Sequence, residues 1–201
     1  MKGPKQMKKV ILCDLGGVLI NLHWIQHAGA LLGKELTKPQ LRQIWFDLNS
    51  ARHYEQGLTD FATFHKEFCE EINANYSFEF FAQEFDNIIG ALKDNCLELL
   101  KEIKKYGTLA LLSNSNDRHI SDIEKTGLFQ DFDKLFFSHK MHMTKPDPVI
   151  FEETRKQLGC EASNIYFFDD SQCNVDAAIK AGYHAYLVES PAEILEIVKK
   201  L

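Results

Sequence analysis

From Asn95 onward the chain alternates helix-length amphipathic stretches with short apolar runs, and no other feature restricts its fold as strongly. Residues 94–105 carry Cys96, Leu97, Leu100 and Ile103 at helical spacing and stop at Gly107. A strand is predicted over 108–112, a helix over 117–126 closed by Gly127, and a short strand over 135–137. Pro148 opens the next helix, which ends near Leu158 and Gly159, because proline is tolerated in a first helical turn. Strand 165–168, a helix over 174–181 closed by Gly182, strand 184–188 and helix 191–200 complete the pattern. Strands this apolar, each separated by a helix, imply a parallel sheet covered on both faces. Right-handed crossovers then make it a three-layer α/β/α, Rossmann-like doubly wound domain.

Residues 21–89 break this rhythm. They hold no convincing strand, and their apolar residues recur at helical spacing: Trp24, Ala28, Leu31; Leu41, Ile44, Trp45, Leu48; Phe61, Phe64, Phe68. An inserted helical domain over 21–89 is expected, with 1–20 and 90–201 forming the α/β core. Gly57 is expected where the fourth and fifth pieces of the insertion meet, with Thr59 or Asp60 as the following cap. The Phe residues of this segment read as its own core.

Four segments place polar groups where such a sheet puts chemistry. Asp14 follows the apolar run 10–13 and precedes Gly16 and Gly17; Ser113 and Asn114 follow 109–112; Lys145 precedes Pro146; Asp169 and Asp170 follow 165–168. A lone polar residue after a strand carries no weight, whereas four in this order do. The ordered set resembles the haloacid dehalogenase superfamily of phosphohydrolases over almost the whole chain, and the inserted segment is similar to the helical cap many members carry.

That resemblance implies roles. Asp14 would be the nucleophile, forming an aspartyl-phosphate that water then hydrolyses. Mg²⁺ would be held by Asp14, the Gly16 carbonyl and Asp170, with Asp169 assisting from behind the ligands. Ser113, with Asn114, would hydrogen-bond the transferring phosphoryl group, and Lys145 would set its ammonium against the phosphate and the Asp14 carboxylate.

The departure is Gly16, since most phosphatases of the superfamily carry there a second Asp that acts as general acid and base. Such catalysis contributes about 10²–10⁴-fold, so a slow phosphatase or a substrate with an easily departing leaving group is expected. The opening Asp14-Leu15-Gly16-Gly17-Val18 is similar to that of bacterial α-D-glucose-1-phosphate phosphatases in the superfamily, and an anomeric hydroxyl is such a leaving group. A small sugar phosphate such as glucose 1-phosphate is therefore the expected substrate. His23, and after it His53, are candidates to replace the missing acid. Two alternatives stay open: a non-catalytic module that binds a phosphometabolite or a protein, and a 2-haloacid dehalogenase, against which the acidic pair Asp169 and Asp170 argues.

The formal charge of −6 gives no reason to expect nucleic acid or an anionic membrane as partner. No apolar stretch has the length of a membrane span, and the lysine-bearing start 1–9 lacks a leader pattern, so a cytoplasmic protein, monomer or homodimer, is expected. Cys13, Cys69, Cys96, Cys160 and Cys173 form no spaced pair and read as reduced thiols, Cys13 as apolar filler rather than a redox group. His139 and His142, flanking Met141 and Met143, lack a third spaced ligand for a soft metal.

Overall fold

The computed structural model describes residues 9–201. Residues 1–8, which hold most of the start expected to lack a leader, lie outside that description. Strands β1 (Val10–Cys13), β4 (Thr108–Ser113), β5 (Lys134–Phe137), β6 (Ile165–Asp169) and β7 (His184–Leu187) form one parallel sheet in the order β5-β4-β1-β6-β7. Between β1 and β4 the chain passes through β2 (Ile20–Leu22), then α1 (Trp24–Leu32), α2 (Lys38–Asp47), α3 (Asn49–Glu55), α4 (Phe61–Glu71) and α5 (Phe78–Asp86), then β3 (Ile89–Leu92). Helices α6 (Cys96–Ile103), α7 (Asp117–Glu124), α8 (Ser138–Met141), α9 (Pro148–Leu158), α10 (Gln172–Lys180) and α11 (Pro191–Val198) lie between or after the later strands.

Strand alternation separates the two faces of the sheet. Ile11, Cys13, Leu109, Leu111 and Phe168 pack with Leu100 and Ile103 of α6 and with Ile194 and Val198 of α11. Val10, Leu12, Ala110, Leu112 and Phe167 pack on the opposite face with Ile150 and Phe151 of α9 and Ala178 of α10. Both faces are dry, as expected of the near-continuous apolar runs in β1, β4 and β6.

The inserted helices own a third core, in which Leu31, Leu41, Trp45, Phe64, Phe68, Phe81 and Phe85 are buried together. Asp60 caps α4 by accepting the Thr63 N–H at 2.8 Å. Gly57 has φ +65°, and a Cβ there would stand 2.3 Å from the His139 carbonyl oxygen, so the turn after α3 rests directly on α8.

Two short strands depart from the sequence reading: β2 and β3 pair antiparallel at the two ends of the insertion, where no strand was expected. Three and four residues, interrupted by Asn21 and Gly90, are too short for alternation to register. The chain leaves and re-enters the sheet domain through this narrow ribbon. Among the described residues no helix is long and apolar enough to cross a membrane. Cys13 lies in the dry core, where burial pushes its thiol far up, as an inert filler requires.

Candidate active site

The register sets Cys13 beside Leu111 of β4 and Phe168 of β6, so the residues that follow emerge together at the carboxyl ends of three adjacent strands. The Asp14 N–H donates to the Phe168 carbonyl at 2.8 Å, continuing the ladder to the end of β1. Lys145 reaches this point from the segment before α9. Its Nζ lies 2.8 Å from Asp14 Oδ1 and 2.6 Å from Asp169 Oδ2, and it donates to the Leu112 carbonyl at 3.0 Å. Burial works against the ammonium, yet Asp14 and Asp169 outweigh it and hold Lys145 up at about 12.

Asp14 is short of positive charge. Burial raises its carboxyl, Lys145 pulls it down, and Asp169 and Asp170 push it up again, leaving it at about 7. Oxygens of Asp14, Asp169 and Asp170 lie within 4.8 Å of one another, a hard-oxygen set that suits a divalent cation. Asp169 is already engaged, because its carboxylate also accepts from the Ser171 N–H at 2.8 Å and from the Asn174 amide at 3.0 Å. Asp14 and Asp170, by contrast, accept among the described residues only from cationic side chains. Gly17, at φ +83°, lets the turn after β1 close onto Asp170, where any Cβ would stand 2.3 Å from Oδ2.

Asp170 carries two cations of its own. Arg42 Nη2 and Lys38 Nζ of α2 pair with Oδ2 at 2.5 and 3.2 Å, and Arg42 Nη1 donates to the Asp170 carbonyl at 3.1 Å. Nothing in the local sequence announces these contacts, which span 128 and 132 residues.

Ser113 ends β4 and is buried, its hydroxyl donating to the Asn114 carbonyl at 3.2 Å. The Asn114 side chain is spent on Lys145: its amide donates to the Lys145 carbonyl at 2.9 Å and its oxygen accepts the Lys145 N–H at 2.8 Å. What Asn114 offers a ligand is main chain.

The two histidines considered as substitute acids make other contacts. His23 is exposed, its ring beside Gly90 and edge-on to His27, at the β2–β3 ribbon. His53 faces Glu67 across α3 and α4 at 3.9 Å. Of the second pair, which was expected in a loop, His139 lies in α8 and stacks on Phe137 of β5, and His142, just after α8, meets the Gln56 carbonyl through Nδ1 at 2.8 Å.

Above Gly16, Ser113 and Asn114 lies a cavity of about 80 Å³, closed on its far side by Trp45, Tyr54, Glu55 and Phe85 of the inserted helices. His119 shares the cavity. Its Nε2 donates to the Phe85 carbonyl at 2.9 Å and its Nδ1 accepts from the Asn116 amide at 3.1 Å, the tautomer that satisfies both. Burial pulls this imidazole down to about 4, so it stays neutral. Among the described residues Glu55 is the one acid lining this space, and sequence reasoning passed over it because no motif surrounds it.

A family model for haloacid dehalogenase-like hydrolases matches residues 8–182. A D-ribitol-5-phosphate phosphatase from Bacteroides thetaiotaomicron is 23% identical over 93% of this chain and 95% of its own length. The phosphate metabolism protein 8 of Saccharomyces cerevisiae is 31% identical, with the match covering 41% of this chain and only 28% of the yeast protein. Among solved structures, a family enzyme from Bacteroides thetaiotaomicron in complex with magnesium and inorganic phosphate superposes with a TM-score of 0.73. It shares 28% identity, over 90% of this chain and 93% of that one. An L-2-haloacid dehalogenase from Xanthobacter autotrophicus shares the fold at 16% identity and a TM-score of 0.62, over 90% of this chain and 78% of that one.

Proposed function

The chain belongs to the haloacid dehalogenase-like hydrolase family, and on that footing we propose that it hydrolyses small phosphomonoesters through an aspartyl-phosphate on Asp14. The observation that carries this reading is Lys145, buried between Asp14 and Asp169 with Asp170 alongside. A carboxylate oriented by an ammonium, beside further carboxylates that only a cation can balance, is arranged to meet a dianion.

Mg²⁺ fits the donor set, as in the related enzyme crystallised with magnesium and phosphate. Held by Asp14, Asp170 and the Gly16 carbonyl, it would neutralise the facing anions and polarise the phosphoryl group. The remaining work falls to the protein. Lys145 fixes the Asp14 carboxylate for in-line attack and presents charge to the phosphoryl oxygens. The Ser113 hydroxyl and the Asn114 main-chain N–H donate to those oxygens, while the Asn114 side chain holds Lys145 in place. Residues 21–89 act as the cap, closing the cavity against water over the core formed by 1–20 and 90–201.

The substrate is a small sugar or sugar-alcohol phosphate. Glucose 1-phosphate follows from the opening motif, and a pentitol 5-phosphate follows from the similarity to the ribitol-5-phosphate enzyme. Phosphate release from a panel of both kinds, in Mg²⁺ and in EDTA, tests the reading. Release confined to Mg²⁺ and abolished by Asp14→Asn is expected. Release that survives either treatment, or halide release from a 2-haloacid without metal, contradicts it.

A further inference from the structure

Gly16 leaves the reaction without a proton donor beside the nucleophile, and the cap brings a carboxyl into the same cavity. Glu55 is the last residue of α3 and lines the cavity with Gly16, Ser113 and Asn114. Its Oε1 accepts from Trp45 Nε1 at 3.2 Å, and its Oε2 has no donor among the described residues. The helix end that carries it is pinned to the loop after Ser113. Ser138 Oγ sits 2.6 Å from the Glu55 carbonyl and 3.0 Å from the Ser115 carbonyl, and it accepts the Ser115 N–H at 2.8 Å.

We propose that Glu55 is the general acid and base of the reaction, doing from the cap what an Asp at position 16 would do from the core. The inference rests on the phosphatase reading above. As Asp14 attacks phosphorus, the bond to the leaving oxygen breaks, that oxygen keeps the electron pair, and it takes the Glu55 proton. The Glu55 carboxylate then removes a proton from water as the water oxygen attacks the aspartyl-phosphate. The bond between phosphorus and Asp14 breaks, the Asp14 carboxylate reforms, and Glu55 is again protonated.

The surroundings suit that cycle. Burial raises the Glu55 carboxyl to about 7, against the Trp45 hydrogen bond and the Lys145 charge, which pull it down. Of the other titratable groups lining the cavity, burial pushes the Tyr54 phenol far up, so it keeps its proton, and holds His119 neutral across the working range. A cap acid also couples chemistry to closure, because the proton donor is in place only while α3 rests on α8.

The test compares a primary-alkyl sugar-alcohol phosphate, whose leaving group needs a proton, with p-nitrophenyl phosphate, whose leaving group does not. In Glu55→Gln, kcat/KM for the alkyl ester is expected to fall by about 10²–10⁴-fold and for the aryl ester by less than about 10-fold. The alkaline fall in the wild-type alkyl profile, centred near the Glu55 value, is expected to vanish.

Position 16 supplies the rescue. Gly16 is outside the left-handed region, and a Cβ there meets only the Leu22 side chain, at 3.0 Å from Cδ1. Gly16→Asp is expected to restore the alkyl activity of Glu55→Gln. Equal losses for both esters, or no loss for either, would each overturn the assignment. A wild type inactive toward both esters in Mg²⁺ would instead overturn the phosphatase reading, and the assignment with it.

Discussion

At the scale of single residues, the site is a contest between burial and charge. Lys145 survives burial because two carboxylates hold it, and Glu55 yields to burial because the Trp45 hydrogen bond and one distant ammonium do not outweigh it. The Glu55 balance has a thermodynamic consequence. The folded protein keeps the Glu55 proton up to about 7, whereas an unfolded glutamate gives it up near 4.5. Between those values the folded state binds more protons, so Glu55 makes the protein less stable as pH rises through that window. Denaturant unfolding in EDTA near pH 5 and near pH 7.5 is expected to show a smaller loss of stability in Glu55→Gln than in the wild type. Identical losses would mean that the carboxyl is not held protonated. None of this was legible in the sequence, since Glu55 stands in no motif and its value depends on Trp45, ten residues earlier, and Lys145, ninety later.

At the scale of elements, three strand ends and one helix make the site. The strand ends were legible because each closes an apolar run with a polar group: Asp14 after β1, Ser113 at the end of β4, Asp169 at the end of β6. Helix α2 was legible as a helix but not as part of the site, because a Lys and an Arg four residues apart ordinarily mark a solvated face. Folding instead carries Lys38 and Arg42 onto Asp170. A metal ion taken by Asp170 must displace that pair, so Arg42→Ala is expected to bind Mg²⁺ more tightly. With about 1 kcal/mol for a half-exposed ion pair, the gain is roughly fivefold. Calorimetric titration of the metal in the absence of substrate measures it, and unchanged or weaker binding would show that Arg42 does not compete.

At the scale of the molecule, three cores divide the labour: two pack against the faces of the sheet and hold the strand ends in register, and the third packs the inserted helices against one another. The doubly wound sheet followed from strand and helix alternation, and the helical insertion followed from its uniform 3.6-residue periodicity. The closed contact between them did not, because it is made by pairs distant in sequence such as Tyr54 with Asp117 and Asp86 with Arg118. Phe64 is fully buried in the helical core against Tyr54, Phe68, Phe81 and Phe85. Phe64→Ala is expected to cost about 3–5 kcal/mol in urea unfolding, and a cost under about 1 kcal/mol would mean that this core is loosely packed. The most direct measurement of the account is acid quenching during turnover of p-nitrophenyl phosphate in Mg²⁺, treatment with hydroxylamine, and peptide mass spectrometry to find the acyl group that was trapped. A hydroxamate on Asp14, absent in EDTA and in Asp14→Asn, is the predicted result. Turnover with no trapped acyl group, or with the label on another residue, would contradict it.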